Sequence, residues 1–314
     1  MSVLSLITKN SVERVGRVFE KVLESSLQVP YKAIILVDDS DNDKTREAVR
    51  RFADTHSKEL VVERSRLYGW HRPTRATARQ TAIDIFFEQF SDEWLMFLDD
   101  DCMLNEGWWN WVVQNGALEK PKVGIVWGIN WDASPERRRF LEAMGIDYAQ
   151  YLIDAFRRRG GTHDTLFRRT AIEGVKIPPE LHVYEDAWLY YYVVCGGWET
   201  AVNPVGVMHF NPGEGAGFLD VFRRSVEAAV KYGIVEYDTI RDAARNPVLA
   251  LLSLMRPVAG YPLMAAVHVK LHGPRGLVTA AKRQWAKVLA RWYAFKAVRR
   301  AGGRIPNVCD VVRR

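Results

Sequence analysis

Three consecutive carboxylates, Asp99, Asp100 and Asp101, follow an apolar run that begins at Trp94. A run without polar alternation is typical of a strand buried on both faces, and open α/β sheets bind ligands at the carboxyl ends of such strands. Adjacent acids repel one another unless a cation or hydrogen bonds offset their charge, and a hard divalent cation is a suitable counter-charge. A solvated acidic turn is the alternative that the acids alone leave open.

The elements that position these acids alternate between strand and helix patterns. The predicted strands cover residues 3–8, 32–37, 60–63, 94–98 and 123–131. Helices are predicted between them, with Ser11 as the cap of the first, and a long charged helix is predicted over 135–158. The βαβαβαβ order of the first half predicts a mostly parallel sheet with helices on both faces.

Composition limits the classes of protein that fit. The 314 residues can hold one large domain, and the net charge of +6 with a pI near 9.2 indicates an anionic partner such as phosphate, nucleic acid or lipid. The apolar start of the chain lacks a preceding basic segment and is too short for a signal peptide. The three cysteines share no metal-ligand spacing, so we expect reduced cysteines in a cytosolic protein.

Four segments of the first half carry motifs in a fixed order: Ser5–Asn10, Ile35–Asp43, Ala76–Ile83 and Phe97–Asp101. Together they resemble the motifs of glycosyltransferase family 2, whose members have the GT-A fold. The first lacks the family's proline, the second lacks its glycine, and the fourth contains its Asp-X-Asp motif. Three later segments also resemble the family: Gly161–Arg169, Tyr184–Leu189 and Gly197–His209. The resemblance covers about residues 3–231 and implies a mixed α/β sheet, flanked by helices, that binds a nucleotide-sugar.

The resemblance implies a donor site at the ends of the first strands. Thr8 and Asn10 are expected to contact the donor. Asp38 is expected to accept hydrogen bonds from the base or ribose, as acids after strands do in nucleotide-binding folds, with a helix-capping acid as the alternative. Arg79 is expected to pair with phosphate or to orient the acids, with a solvated helix arginine as the alternative.

The same resemblance implies a metal site. Asp101 is the first expected ligand and His209 the second, and Asp99 is expected to bind directly or through water. A histidine beside carboxylates favours Mn²⁺ over Mg²⁺, whereas a structural histidine is the alternative for this position. Asp100 and Asp39 are expected to support the donor site through neighbouring residues.

Asp186 is the candidate general base, because the resemblance places it in the Glu-Asp motif that opens the catalytic helix. One base suffices to deprotonate an acceptor hydroxyl that attacks opposite the leaving diphosphate and inverts the configuration. Glu185 is expected to face a basic group. The alternative to a catalytic role is that both acids only stabilise the N-terminus of a helix through its dipole. The glycine-rich segment 211–217 is expected to close over the donor, or else to be a connecting loop.

The composition changes near Asn246. Residues 248–269 are apolar but interrupted by Arg256-Pro257, Pro262 and His268, which argues against a clean membrane span. Residues 274–300 predict an amphipathic helix whose apolar face carries Leu277, Val278, Ala281, Trp285, Val288, Leu289, Trp292 and Phe295. Cations on the other face are typical of a helix in the lipid headgroup layer, and a helix packed on the domain is the alternative.

The sequence therefore predicts an inverting, metal-dependent glycosyltransferase at the cytosolic face of a membrane. The catalytic domain is expected over 1–245 (donor half about 1–130, acceptor half about 131–245), the membrane-associating segment over 246–300 and a tail over 301–314. We expect a nucleotide-sugar donor, with GDP-mannose preferred, and a lipid-linked sugar or glycolipid acceptor. A basic nucleic-acid-binding protein is one alternative, which the acidic cleft disfavours. A metal-dependent nucleotidyltransferase is another alternative, but this chain lacks the glycine-rich phosphate loop that such an enzyme would need after its first strand.

Overall fold

The structure is a computed structural model that describes residues 2–132, 138, 141–142, 145–210, 218–234 and 246–313. The chain divides into two compact units. The first comprises Met1–Ala133 and Asp147–Gly213 with Arg313, and the second comprises Ser134–Ile146 and Glu214–Val312 with Arg314. The boundary of the catalytic domain predicted from the sequence, after residue 245, stays a prediction.

The strands of the first unit follow the predicted order. They are β1 (Ser2–Thr8), β2 (Tyr31–Asp38), β3 (Glu59–Glu63), β4 (Trp94–Leu98), β5 (Cys102–Leu104), β6 (Val123–Asp132), β7 (Asp164–Arg168) and β8 (Glu199–His209). In the described part of the chain they form one sheet in the order β3-β2-β1-β4-β7-β6-β8-β5. β1 to β4 pair in parallel and so do β6 and β8, whereas β7 is antiparallel to β4 and β6, and β5 is antiparallel to β8. The sheet is therefore mixed.

Helices flank this sheet. They are α1 (Ser11–Val15), α2 (Arg17–Ser26), α3 (Lys44–Thr55), α4 (Arg75–Gln89), α5 (Trp108–Gln114), α6 (Tyr148–Arg159), α7 (Arg169–Ile172) and α8 (Glu185–Val194). The residues of β4 and the stretch from Ala33 to Val37 in β2 are all buried, because helices cover both faces of the parallel strands. The register aligns Thr8 with Asp38, which brings the carboxyl ends of β1 and β2 to one edge.

Three sequence predictions need correction. Ser11 does not cap the first helix: it lies inside α1, where its hydroxyl is donated to Asp100. The single helix over 135–158 is wrong, because Asp147 caps a helix that begins only at Tyr148, and the preceding Gly145 has φ of 71°. The expectation that all three cysteines are reduced is wrong, because Cys102 is a buried free thiol but Cys195 is disulfide-bonded. The predicted closing loop over 211–217 lies outside the described residues.

The second unit is helical where it is described. Its elements are α9 (Phe218–Lys231), α10 (Pro247–Ala259), α11 (Tyr261–His272), a 3₁₀ turn (Gly273–Arg275), α12 (Gly276–Arg300) and α13 (Val308–Val312). The long helix α12 packs against α9, α10 and α11. No helix in the described ranges combines the length and the apolar character needed to cross a bilayer.

Candidate active site

The three acids after β4 separate into three different environments. The chain turns at this point, and the turn is closed by a hydrogen bond from the Cys102 N–H to the Asp99 carbonyl at 3.1 Å. Asp99 faces Arg79, Asp100 faces α1, and Asp101 faces His209. The alternative of a solvated acidic turn is therefore wrong, because each carboxylate has its own partner within the first unit.

Asp101 and His209 come together where the outer strand β5 pairs with β8. β5 pairs with β8 so that Cys102 lies opposite His209, and this register places Asp101 Oδ1 3.5 Å from His209 Nε2. Burial would raise the pKa of Asp101, but the hydrogen bond and charge of His209, with Arg14, lower it to about 2. An ionised carboxylate beside an imidazole is a donor pair that suits a divalent cation.

Cys102 also lies near this pair. The ligand atoms of Asp101, Cys102 and His209 are all within 4.8 Å of one another, and they are the group of candidate metal ligands among the described residues. Burial raises the pKa of the Cys102 thiol well above its usual range, so the sulfur stays protonated. Since only a thiolate binds a metal well, the carboxylate and the imidazole are the better ligands.

Asp100 is neutralised from α1. Its carboxylate accepts hydrogen bonds from the Ser11 hydroxyl and the Arg14 guanidinium, and Arg14 Nη1 also lies 3.6 Å from Asp101. Burial nevertheless raises the pKa of Asp100. Neither Ser11, predicted as a helix cap, nor Arg14 was predicted to contact Asp100, because a contact between positions almost ninety residues apart leaves no signal in the local sequence.

Arg79 links the acids after β4 to the start of α8. It is buried on α4, its Nη2 lies 3.0 Å from Asp99 Oδ1, and its Nε lies 3.4 Å from Glu185 Oε1. Burial acts to raise the pKa of Asp99, but the charge and hydrogen bond of Arg79, together with His163, outweigh it, so that pKa lies below its usual value. Arg79 is thus buried between two acids and is not a solvated helix arginine, and Glu185 faces a basic group as expected.

Asp186 follows Glu185 in the first turn of α8, and its side chain accepts a hydrogen bond from the Ala187 N–H at 2.8 Å. Gly160 allows the end of α6 to approach this turn closely: a Cβ there would lie 2.8 Å from the Asp186 carbonyl oxygen, and its φ of 76° also favours glycine. The ion pairs of Arg79 therefore join the turn that carries Asp186 to the acids after β4.

Thr8, Asn10 and Asp38 gather at the ends of β1 and β2. Asp38 is fully buried and accepts hydrogen bonds from the Thr8 hydroxyl at 2.7 Å, the Ser40 hydroxyl at 2.5 Å and Arg46 Nε at 2.9 Å. The Asn10 N–H donates to the Ser40 hydroxyl at 2.6 Å. These bonds fix the two strand ends to each other, and Asp38 is not a helix cap because α3 begins at Lys44.

The neighbouring Asp39 joins β2 to the segment after β3. It accepts hydrogen bonds from the Ser65 N–H at 3.1 Å and the Ser65 hydroxyl at 2.5 Å, and its own N–H donates to the Thr8 carbonyl. Unlike Asp38, Asp39 is partly exposed at the edge of the sheet. Ser65 is a further residue that sequence analysis missed.

Asp164 and His163 form a second set of polar residues, buried in the core of the first unit. Asp164 is fully buried and accepts a hydrogen bond from Trp108 Nε1 at 2.8 Å, and burial raises its pKa well above the usual range. His163 beside it accepts the Asp99 N–H at its carbonyl, and burial lowers its imidazole pKa to about 4. A Cβ at Gly128 would lie 1.7 Å from Asp164 Oδ2, so this strand position requires glycine.

Comparison with known proteins places the chain in a family. Residues 5–175 match the sequence profile described as Glycosyl transferase family 2, which is more than half of the chain. The chain belongs to glycosyltransferase family 2. It is therefore a glycosyltransferase, as the motifs around Asp99–Asp101 implied. No curated protein sequence matches this glycosyltransferase.

The solved structures similar to this glycosyltransferase include the following two. One is the mannosyltransferase PcManGT from Pyrobaculum calidifontis in complex with GDP-Man and Mn²⁺, at 18% identity and a TM-score of 0.54, covering 95% of this chain and 86% of that one. The other is described as a mycobacterial protein, at 15% identity and a TM-score of 0.51, covering 74% of each chain. These likenesses support the GT-A fold, the mixed sheet flanked by helices that the sequence predicts.

Proposed function

We propose that this family 2 glycosyltransferase transfers a sugar from a nucleotide-sugar to an acceptor hydroxyl with inversion, using a divalent metal held by Asp101 and His209. The observation that carries the proposal is the 3.5 Å approach of the Asp101 carboxylate to the His209 imidazole at the edge of the sheet. A cation held there would act as a Lewis acid that offsets the charge of the departing diphosphate.

The chain's own residues supply the other parts of the reaction. Arg79 holds Asp99 and the α8 turn in place, so the ends of the donor and acceptor halves keep a fixed separation. Asp186 in that turn removes the proton of the acceptor hydroxyl as the oxygen attacks the anomeric carbon. Because the attack comes opposite the leaving group, one displacement suffices and no residue forms a covalent intermediate.

We propose GDP-mannose as the donor and Mn²⁺ as the metal. The support for Mn²⁺ is the imidazole in the ligand pair, since Mg²⁺ prefers oxygen ligands. The mannosyltransferase of similar fold was solved with GDP-Man and Mn²⁺, which makes this donor the first to test. We further propose a lipid-linked sugar or glycolipid as the acceptor, because α10 and α12 of the second unit expose large apolar side chains in a basic region. Family membership favours sugar transfer over the nucleic-acid-binding and nucleotidyltransferase alternatives.

A donor hydrolysis assay tests this proposal. The full-length protein is incubated with GDP-mannose, UDP-glucose and other nucleotide-sugars, with Mn²⁺, with Mg²⁺ or with EDTA, and release of the nucleoside diphosphate is measured. We expect one donor to be hydrolysed slowly without an acceptor, only with a metal and faster with Mn²⁺. Equal hydrolysis in excess EDTA would contradict the metal role of Asp101 and His209, and a preferred donor other than GDP-mannose would contradict the donor assignment alone.

A further inference from the structure

The helix α12 has two faces of different exposure. The buried face consists of Ala280, Gln284, Ala294, Ala297 and Val298. Val278, Trp285 and Trp292 are exposed instead, with Trp285 63% exposed. These three residues recur every seven positions, so they lie in one row along the helix, roughly opposite the buried face. The apolar face that the sequence predicted is therefore turned away from the packing of the second unit.

The preceding helix α10 shows the same feature. Val248, Leu252 and Met255 are all more than half exposed, and their spacing of four and three residues places them on one side of the helix. Scattered exposed apolar residues are ordinary on protein surfaces. A row of large apolar side chains on each of two helices of one unit is not, and it marks an interaction surface. We call Val248, Leu252, Met255, Val278, Trp285 and Trp292 the apolar surface.

The charge of this region has a single sign. Residues 246–309 contain eleven lysines and arginines and no aspartate or glutamate. Exposed lysines accompany the tryptophans: Lys282 lies one turn before Trp285, and Lys296 Nζ lies 5.0 Å from the centre of the Trp292 ring. A partner of this region must therefore accommodate the exposed tryptophan rings and carry negative charge.

We infer that the apolar surface binds an anionic lipid bilayer, with its tryptophans in the headgroup layer and the neighbouring lysines at the lipid phosphates. Tryptophan suits this layer because its ring is apolar and its N–H is polar, and lysines add attraction to anionic lipid. A second copy of the chain is the less suitable occupant, because two such surfaces would bring like charges together. This inference concerns attachment and does not depend on the proposed catalysis.

Vesicle co-sedimentation of the full-length protein tests the inference. The vesicles contain phosphatidylcholine with phosphatidylserine, or phosphatidylcholine alone. We expect preferential binding to the anionic vesicles, weakened but not abolished by high salt, since salt screens only the electrostatic part. Replacing Trp285 and Trp292 by serine should lower the partition coefficient at least about tenfold, from the loss of apolar burial. Lys282→Gln should lower it about fivefold at low salt.

Val113→Ser is the matched control, because Val113 is also exposed, at 60%, but lies in the first unit. This variant should bind vesicles as the unchanged protein does, and circular dichroism should show that every variant is folded. Equal partitioning of the double tryptophan variant and the control would overturn the inference. So would a lipid-free dimer, detected by sedimentation velocity, that the tryptophan substitutions abolish, because the apolar surface would then belong to a second copy.

Discussion

Two regions differ in which side chains they bury: the acidic edge of the first unit, formed by Asp99–Asp101 with Arg79, and the helices α10 and α12 of the second unit. At the acidic edge, charged groups are buried and each has a specific partner, as Arg79 has in Asp99 and Glu185. On α10 and α12, large apolar groups are exposed and the charges are of one sign. Burying charge and exposing tryptophan both cost free energy in an isolated chain. Each departure underlies one of our two proposals: a metal and diphosphate in the first case and a lipid surface in the second.

The comparison predicts where substitutions affect catalysis, where they affect stability and where they affect only attachment. The largest effect is expected at the metal site. Asp101→Ala removes the carboxylate of the proposed ligand pair, so turnover should fall on the order of a thousandfold and lose its dependence on Mn²⁺. Initial rates of sugar transfer over a metal titration measure this.

Asp54→Ala is the control for Asp101→Ala, since Asp54 is an exposed acid on α3 of the same unit. It should retain the activity and metal dependence of the unchanged protein. An Asp101→Ala variant that still responds to Mn²⁺ at the original concentrations would show that the metal binds elsewhere.

The next effect is on stability at the buried arginine. Arg79→Met leaves Asp99 and Glu185 without their cation, which should lower the free energy of unfolding by about 3–5 kcal/mol at neutral pH. Arg79 lowers the pKa of Asp99, so its contribution is present at neutral pH and lost as the pH falls through that folded-state pKa. Urea titrations should therefore show a smaller difference between the two proteins below about pH 4 than at neutral pH. A difference independent of pH would mean that Arg79 acts mainly through packing.

The sequence predicts the parallel strands β1, β2 and β4 well, but it does not predict the pairing of β5 with β8. β1, β2 and β4 are recognisable because strands buried on both faces are continuous apolar runs. The contact between Asp101 and His209 depends on β5, whose three residues carry no periodic signal of their own. Only the family resemblance connected the two residues, and it could not show that Ser11 and Arg14 would neutralise Asp100.

A smaller catalytic effect is expected at the proposed base. Asp186→Asn keeps the size of the side chain and can still accept the Ala187 N–H, but it cannot take a proton. Turnover should fall about a hundredfold or more, while donor affinity, measured by calorimetry, should barely change. A parallel loss of donor affinity would assign Asp186 to the donor site instead.

Asp164 offers a pH test of the buried core. Its folded-state pKa is raised by burial, so the folded state keeps a proton that the unfolded state loses above about pH 4, and stability falls as the pH rises from there. Asp164→Asn cannot ionise and can still accept from Trp108 Nε1. The free energy of unfolding of this variant, relative to that of the unchanged protein, should therefore rise by at most about 1.4 kcal/mol for each pH unit above pH 4. Parallel pH profiles would show that the acid is ionised in the fold.

The smallest effect is expected on the apolar surface, and it separates the two regions directly. Trp285→Ser removes an exposed side chain, so the free energy of unfolding without lipid should change by less than about 0.5 kcal/mol. Trp108→Ala removes a fully buried side chain and its hydrogen bond to Asp164, so it should cost about 3–5 kcal/mol. Both values come from urea unfolding of the full-length protein. If Trp285→Ser cost as much as Trp108→Ala, Trp285 would be part of a packed core, and the apolar surface would stabilise the fold instead of binding lipid.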